Sequence, residues 1–393
     1  MLAKVLPAAL LFTAPLFSFT LSPQTPVPII TNNTAASGVS VAGSSSGFLA
    51  AWKDSFNNAV ASFSSNNGQT WSSPVFISND VSHLVRVSAQ ESKFLSGWVD
   101  LNETATGLGD VKTSVSTDSG QTWTMPVLIS TAPSAGPTVA TAATSAGFMA
   151  VWTQGGMALV RPLARFSANG TSWDAAVQLS SLLIKRGSTS VAGNSAGFLA
   201  TFQEDAGPNY FGYASFTGNN GASWSMPVQV AAMRQNEILS VAANGSGFLG
   251  AWISPTNQLL TSFSTTNGAS WSAPVEIPTT FTGLTTILGL SGGDAGFVIT
   301  WVNGGPNIFA SFSSDRGATW SAPVQLITSP AVKGLTDYVV GVSIADANCM
   351  FTWWNTANNA ISSYSTLPSP SASSSSPLFQ QISPNNPGKT LFR

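Results

Sequence analysis

A turn of seven or eight residues that ends in tryptophan occurs six times along this chain. The copies are SSNNGQTW (residues 64–71), STDSGQTW (116–123), SANGTSW (167–173), TGNNGASW (217–224), STTNGASW (264–271) and SSDRGATW (313–320). Their tryptophans lie 52, 50, 51, 47 and 49 residues apart. A period of this length is typical of one supersecondary unit copied around a ring or along an array, so the repeat constrains the fold more than any single residue does.

Short apolar segments return in a fixed order between these turns. The first repeat reads VSVAG (39–43), GFLAAW (47–52), AVASFS (59–64), the turn, and PVFIS (74–78). Segments of this length, bounded by Gly, Asn, Ser or Pro, are typical of β-strands. Each repeat is therefore predicted to form four antiparallel strands.

The number of repeats follows from the copies of each segment. The second-strand segment occurs seven times, as GFLAAW (47–52), KFLSGW (93–98), GFMAVW (147–152), GFLATF (197–202), GFLGAW (247–252), GFVITW (296–301) and CMFTWW (349–354). The fourth-strand segment follows every turn and occurs once more as PVPIIT (26–31), ahead of any other strand segment. The chain thus begins with a fourth strand and ends with strands one to three, the last being AISSYS (360–365).

These counts predict an all-β protein, a seven-bladed β-propeller of four-stranded antiparallel blades over residues 25–366. The two ends of the chain would complete the last blade together. Such closure removes the sheet edges that an open array exposes. A ring of six blades with spare strands at each end is the alternative.

The repeated turn resembles the Asp-box, S-x-D-x-G-x-T-W, of sialidases and other BNR-repeat propellers, and we call the six copies box turns. The hydroxyl and the Asp or Asn side chain can accept hydrogen bonds from backbone N–H groups, and Gly supplies a positive φ. The acid position holds Asn66, Asp118, Asn169, Asn219, Thr266 and Asp315, and the third box turn is one residue short. The resemblance implies a structural turn on the face opposite an active site, and we expect its tryptophans to be mostly buried.

Composition excludes several kinds of site. Charged residues make up 8% of the chain and the net charge is −2, which is too little positive charge for a nucleic-acid partner. The single Cys349 excludes an intrachain disulfide and a cysteine-built zinc site, and its apolar surroundings predict a buried, inert thiol. Two isolated acids, Asp118 and Asp315, seldom supply the six oxygen ligands of calcium. We predict no metal and no cofactor.

The two ends of the chain differ from the repeats. Residues 1–20 carry Lys4 and then an uncharged apolar run, which is the layout of a secretory signal peptide. This predicts a secreted, periplasmic or cell-surface protein, with an uncleaved anchor left open and no other membrane association. Residues 367–393 include PSPSASSSSP (368–377) and predict a Ser/Pro-rich flexible tail. We expect a monomer.

The scarce charged residues concentrate on one predicted face of the ring. The box turns join strands three and four, so the loops between strands two and three and those between blades share the opposite face. Concave sites form where loops are held by rigid strands. The resemblance implies that a sialidase-type site there would hold a substrate carboxylate with three arginines, and Arg86, Arg186 and Arg234 are the candidates. A guanidinium pairs bidentately with a carboxylate, which a neutral donor cannot match.

The resemblance also implies a tyrosine nucleophile activated by a glutamate and an aspartate as acid. Tyr210 with Glu204, or Tyr338 with Glu237, could supply the nucleophile pair, and Asp54 or Asp100 the acid. The F/Y-R-I-P motif that normally carries the first arginine is absent, since residues 27–33 read VPIITNN. Trp354 is a candidate for stacking on a sugar, with packing against the neighbouring blade as the alternative.

Three functions fit this sequence. The first is a secreted, non-catalytic module that binds a glycan or a protein through the loop-bearing face. The second is an exo-sialidase-type glycoside hydrolase with a degenerate active site, and the third is an assembly scaffold. The fold does not choose among them, because propellers host all three. The discriminating observation is whether three arginines, a Tyr–Glu pair and an aspartate gather in one pocket.

Overall fold

The computed structural model describes residues 21–30, 38–79, 85–100, 109–130, 139–155, 160–181, 189–205, 210–235, 237–278, 285–303, 307–326, 340–354 and 359–367. Every regular element within these ranges is a β-strand. Numbered in chain order, the strands are β1 (Val27–Pro28), β2 (Ser40–Ser44), β3 (Gly47–Lys53), β4 (Ala59–Ser64), β5 (Val75–Ser78), β6 (Arg86–Gln90), β7 (Lys93–Asp100), β8 (Asp110–Ser116), β9 (Val127–Leu128), β10 (Val139–Thr144), β11 (Gly147–Gly155), β12 (Val160–Ser167), β13 (Val177–Gln178), β14 (Thr189–Asn194), β15 (Gly197–Asp205), β16 (Tyr210–Thr217), β17 (Val228–Met233), β18 (Ser240–Asn244), β19 (Gly247–Ile253), β20 (Leu259–Ser264), β21 (Val275–Glu276), β22 (Thr285–Gly293), β23 (Gly296–Asn303), β24 (Ile308–Ser313), β25 (Val324–Gln325), β26 (Gly341–Ala345), β27 (Asn348–Trp354) and β28 (Ala360–Thr366).

These strands form seven four-stranded antiparallel sheets, which are the blades of a β-propeller. Blades 1 to 6 each take four consecutive strands in order, from β2-β3-β4-β5 to β22-β23-β24-β25. Blade 7 has the order β26-β27-β28-β1. The predicted seven blades and the closure by strands from both ends are therefore confirmed, and the six-bladed alternative is wrong.

The ring closes through contacts of residues 21–30 with β28. Val27 pairs with Ser362 and Pro28 with Ile361. The Ile29 N–H then donates to the Ala360 carbonyl at 2.8 Å, and the Ile29 side chain is buried. The N-terminal strand thus contributes both hydrogen bonds and core packing to a blade whose other three strands lie more than 300 residues away in the sequence.

One hydrogen-bond scheme holds all six box turns. The first hydroxyl of each turn accepts the N–H of its glycine at 2.8 or 2.9 Å. The side chain two residues later accepts the N–H of the residue before tryptophan at 2.8–3.0 Å. Asn, Asp and Thr all perform this second role, because it needs an acceptor oxygen and not a charge. The replacements at the acid position therefore leave the turn intact.

The two aspartates are fully used inside their own turns. Asp118 Oδ1 accepts from Ser116 Oγ at 2.8 Å and from Thr122 N at 2.9 Å, while Oδ2 accepts from Thr122 Oγ1 at 2.6 Å. Burial raises the pKa of Asp118, but these hydrogen bonds outweigh it and lower the pKa overall. Asp315 makes the same contacts with Ser313 and Thr319.

Each box turn also packs on the preceding blade. Gly120 of blade 2 has a φ of 82°, and a Cβ added there would lie 2.4 Å from Leu49 Cδ1 of blade 1. The indole N–H of Trp71 in blade 1 donates to Ser362 Oγ of blade 7 at 2.9 Å. The Trp320 indole of blade 6 reaches Thr261 Oγ1 of blade 5 at 3.2 Å in the same way. The turns therefore stabilise the seams between blades as well as their own hairpins.

Most of the surface of each box tryptophan is covered, as the sequence predicts, but none is fully buried. All six are half-buried, namely Trp71, Trp123, Trp173, Trp224, Trp271 and Trp320. Each lies at the outer end of the seam with the preceding blade. One side of the indole contacts apolar side chains there, and the other side borders solvent. The fully buried aromatic residues lie instead in the second strands and include Trp52, Trp98, Trp152, Trp252 and Trp301. Cys349 of β27 is buried too, and burial raises the pKa of its thiol.

The first strands of all blades surround the axis of the ring. A cavity of about 250 Å³ lies there, lined by small residues such as Gly43, Ala89, Ala143 and Gly193. Cavities that bind small ligands measure roughly 300–1,000 Å³. This cavity is therefore small for a ligand.

We expect Ile29→Ala to destabilise the protein by about 2–5 kcal/mol, because it removes a buried side chain from the closing strand. Thr25→Ala changes an exposed residue of the same segment and should stay within about 0.5 kcal/mol of the wild type. Denaturant unfolding of the three proteins measures the difference. Equal stability of the two variants would contradict the closing role of this segment.

Candidate functional site

We call the end of the ring opposite the box turns the loop face. In the described part of the chain it comprises the turns at 54–58 and 254–258, the connection at 234–239 apart from residue 236, and the adjoining strand ends. The sequence-predicted site residues that the structure describes all lie in blades 1, 2, 4, 5 and 7 near this face. Arg186 and Tyr338 lie outside the described residues.

The carboxylate of Asp54 holds the loop-face turn of blade 1. Its Oδ1 accepts from Phe56 N and from Asn58 N, both at 2.8 Å, and its Oδ2 accepts from Asn58 Nδ2 at 3.0 Å. Asp54 is 7% exposed, and Asn57 has a φ of 63°. These contacts make Asp54 an acceptor for backbone and amide donors, and they fix the backbone that carries Phe56.

Phe56 projects from the tip of this turn with 78% of its surface exposed. The equivalent turn of blade 5 is built the same way, with Ser254 Oγ accepting from Gln258 N at 3.0 Å and Asn257 at a φ of 68°. That turn carries Thr256 where blade 1 carries Phe56. An aromatic side chain is therefore not needed to form the turn.

Asp100 lies at the end of β7 and pairs with Lys112 of β8. The Lys112 Nζ is 2.6 Å from Asp100 Oδ2, and the Asp100 side chain is 8% exposed. Asp100 stands directly opposite Asp110 in the strand register, an arrangement that is destabilising for two like charges. The Lys112 ammonium offsets this repulsion, so Asp100 has a structural partner within its own blade.

Arg234 and Glu237 form an ion pair in the connection between blades 4 and 5. The Arg234 guanidinium donates to the Glu237 carboxylate and to the Asn257 side-chain oxygen, while its backbone N–H donates to the Ile253 carbonyl at 2.9 Å. The side chains of Arg234 and Glu237 are 20% and 11% exposed. Burial raises the pKa of Glu237, and the opposing effect of Arg234 does not cancel it.

Glu204 contacts Tyr213, which lies on the neighbouring strand β16. Burial raises the pKa of Tyr213, and its hydrogen bond to Glu204 and the negative charge there raise it further. Tyr213 also stacks on Phe202, with ring centroids 6.2 Å apart. Sequence reasoning paired Glu204 with Tyr210 and missed Tyr213. Tyr210 is half-buried and packs with Met233 and its apolar neighbours at the seam with blade 5.

Arg86 begins β6, the innermost strand of blade 2, at the loop-face end of the axis. Its strand neighbours Val85 and Val87 pack toward blade 1, so alternation points the Arg86 side chain to the other side of the sheet. Burial lowers the pKa of its guanidinium. Among the described residues, no hydrogen bond or ion pair engages this side chain.

Trp354 ends β27 in blade 7 and is 7% exposed. It packs with Trp52, Ile29 and Ala360 across the seam between blades 7 and 1. Its indole N–H is buried without a hydrogen-bond partner. The placement corresponds to the packing alternative that the sequence left open.

The structure places Arg234 and Glu237 near Tyr210 at the seam between blades 4 and 5. It places Glu204 beside Tyr213, which faces the seam between blades 3 and 4. Asp54, Asp100 and Arg86 lie on blades 1 and 2, apart from these pairs. Within the described ranges, no group of three or more His, Cys, Asp or Glu residues is placed to hold a metal ion. No helix in the same ranges is long and apolar enough to cross a membrane. The catalytic roles of these residues stay predictions.

Comparison with known proteins gives a fold and no family. No protein-family model matches the chain, and neither does any curated protein sequence. Many solved structures do match, at low sequence identity.

An ulvan lyase, described as a new family of polysaccharide lyase, superposes with a TM-score of 0.57 at 10% identity over 88% of this chain and 96% of its own. A Hadza microbial sialidase matches with a TM-score of 0.50 at 13% identity over 85% of this chain, which spans 66% of the sialidase. An α-L-arabinanase from Penicillium chrysogenum matches with a TM-score of 0.50 at 12% identity over 88% of this chain and 98% of its own. The chain therefore has the propeller fold that these proteins share.

We expect the stability difference between wild type and Glu237→Gln to depend on pH. The pKa of Glu237 in the folded protein is raised above its ordinary value of 4.5. The folded state therefore takes up a proton before the unfolded chain does, and wild type gains stability relative to the variant as the pH falls from neutral to about 4.5. Urea unfolding of both proteins between pH 7 and pH 4.5 measures this gain. A loss of wild-type stability relative to the variant as the pH falls, or no change, would contradict the placement of Glu237.

Proposed function

We propose that the protein is a non-catalytic carbohydrate-binding propeller that holds its ligand on the loop face, with Phe56 as the main contact. The proposal is supported first by the exposure of Phe56. The ring is 78% exposed, so it is accessible to a ligand, and its turn does not require it. Asp54 fixes the backbone on both sides of it, so little ordering is left to pay for on binding.

A flat aromatic face suits the apolar face of a pyranose ring, while sugar hydroxyls need polar partners nearby. Ser55 and Asn57 flank Phe56 in the sequence, and Lys53 lies three residues before it. Arg86 lies on the next blade at the same end of the ring, and its desolvated guanidinium would pair with the carboxylate of an acidic sugar. We assign the aromatic contact to Phe56 in preference to Trp354, because Trp354 is 7% exposed.

The propellers that share this fold support a carbohydrate ligand as a class. Their names describe a sialidase, an ulvan lyase and an arabinanase, which act on different glycans. Export across a membrane is part of the proposal and is supported by the sequence of residues 1–20 alone.

Several candidate catalytic groups in the described residues make contacts that stabilise their own blade or loop. Asp54 accepts three hydrogen bonds, Asp100 is paired with Lys112, and Arg234 is paired with Glu237. These contacts support binding over glycosidic cleavage.

We expect the purified protein to bind immobilised oligosaccharides, and Phe56→Ala to weaken this binding by at least about tenfold, as the loss of a central aromatic contact does. Phe76→Ala is the matched control, because Phe76 is a 56% exposed phenylalanine of the same blade on the outer strand β5. A glycan array with neutral, uronic and sialic residues, followed by calorimetry on the best ligand, makes the measurement. Equal losses in the two variants, or no binding to any glycan, would overturn the proposal.

We expect no hydrolysis of an aryl sialoside above the background rate. Loss of one member of a catalytic constellation typically costs orders of magnitude in rate, and here the candidate acids and Arg234 are held by structural partners. A fluorogenic sialoside assay at enzyme concentrations in the micromolar range tests this. Turnover that disappears in Arg86→Ala or Arg234→Ala, with the melting temperature unchanged, would replace the binding function with the hydrolase.

A further inference from the structure

A groove of about 730 Å³ lies at the rim of the ring between the box turns of blades 1 and 2. It is on the opposite end of the molecule from the loop face. One wall consists of Phe63, Trp71, Thr70 and Val75 of blade 1, and the other of Ser119 and Gln121 of blade 2. The volume falls within the roughly 300–1,000 Å³ of small-ligand sites.

Trp71 supplies a fixed aromatic surface to this groove. Its indole N–H donates to Ser362 Oγ at 2.9 Å, in blade 7 on the side away from the groove. The Trp71 indole is therefore anchored through its N–H. Its half-buried carbon atoms form the surface that borders blade 2. An anchored ring loses little conformational freedom when a ligand stacks on it.

The polar groups across the groove are neutral. Gln121 is exposed and donates one N–H to the Asp118 carbonyl at 3.0 Å, which orients the amide. Its oxygen accepts no hydrogen bond from the described residues. Thr70 Oγ1 accepts from Asn66 Nδ2 at 2.8 Å, so the Thr70 hydroxyl proton can still donate. An amide, hydroxyls and an aromatic face, with no charged side chain in the lining, match an uncharged polyhydroxylated ring.

The combination occurs at a single seam of the repeat sequence. The position of Gln121 is filled by Gln69, Thr171, Ala222, Ala269 and Ala318 in the other box turns. Gln69 belongs to blade 1 and faces blade 7, which has no box turn and so no box tryptophan. Trp71 is thus the only box tryptophan whose next blade along the sequence carries glutamine in its box turn. The seam between blades 1 and 2 differs from the other seams in this pair of residues.

The geometry points to a second carbohydrate site in this groove, separate from the loop face, which takes the pyranose ring of a neutral sugar. The ring stacks on Trp71, and its hydroxyls exchange hydrogen bonds with Gln121 and Thr70. The absence of charge from the lining distinguishes its ligand from the acidic sugars that Arg86 would favour on the loop face.

The test uses Phe56→Ala as the starting protein, so that binding on the loop face does not interfere. Saturation-transfer NMR and tryptophan fluorescence titrations are run with methyl glycosides of glucose, galactose, mannose and fucose, and with methyl glucuronide as the charged probe. At least one neutral glycoside should bind saturably. Adding Gln121→Ala should weaken that binding by about 2- to 10-fold, the loss expected for a hydrogen bond between neutral groups.

Gln69→Ala is the matched control, because it removes the same side chain from the same turn position one blade earlier. It should leave the affinity unchanged. Both glutamines are exposed, so neither variant should alter the melting temperature. Equal affinities of Gln121→Ala and Gln69→Ala, binding of methyl glucuronide alone, or no saturable binding of any neutral glycoside would overturn the proposal.

Discussion

The ring depends on one repeated contact, the packing of each box turn against the preceding blade. The glycine of the turn needs its positive φ and leaves no room for a side chain, as Gly120 against Leu49 illustrates. The turn is rigid because a hydroxyl and an acceptor side chain bond its backbone N–H groups. A rigid loop packed on a neighbour costs little entropy to hold, so six copies of a modest contact stabilise six seams.

Blade 7 has no box turn, and residues 21–30 take over its role. Ser363 Oγ donates to the Gln24 carbonyl at 2.6 Å, where Ser62 of blade 1 bonds the carbonyl of Ser72, next to the box tryptophan, at 2.6 Å. Leu21 is 2% exposed and packs with side chains of blade 6 such as Ile308. The N-terminal segment thus stabilises the seventh seam, and the same chemistry recurs there without the motif.

Counting strand segments was enough to predict the blades and their closure, since each strand repeats with its own signature. Side-chain partners depend on register, which the sequence does not reveal. Glu204 lies opposite Phe211 in the register and contacts Tyr213, three residues beyond the Tyr210 that sequence reasoning chose. The sequence also leaves open how much of each box tryptophan stays exposed, because this depends on how far the turn lies toward the rim. The loop-face candidates Arg186 and Tyr338 fall outside the described residues.

The two ends of the ring differ in chemistry because box turns occupy one end and the loop face occupies the other. Box turns satisfy their backbone N–H groups internally, with Asn, Asp or Thr as the acceptor, and their tryptophans are only half covered. The loop face lacks such a motif, and within its described residues Arg234 pairs with Glu237 whereas Arg86 has no such partner. In the two sites that we propose, recognition would depend on preorganised aromatic surfaces, Phe56 on one end and Trp71 on the other, and the polarity of their surroundings would choose between acidic and neutral sugars.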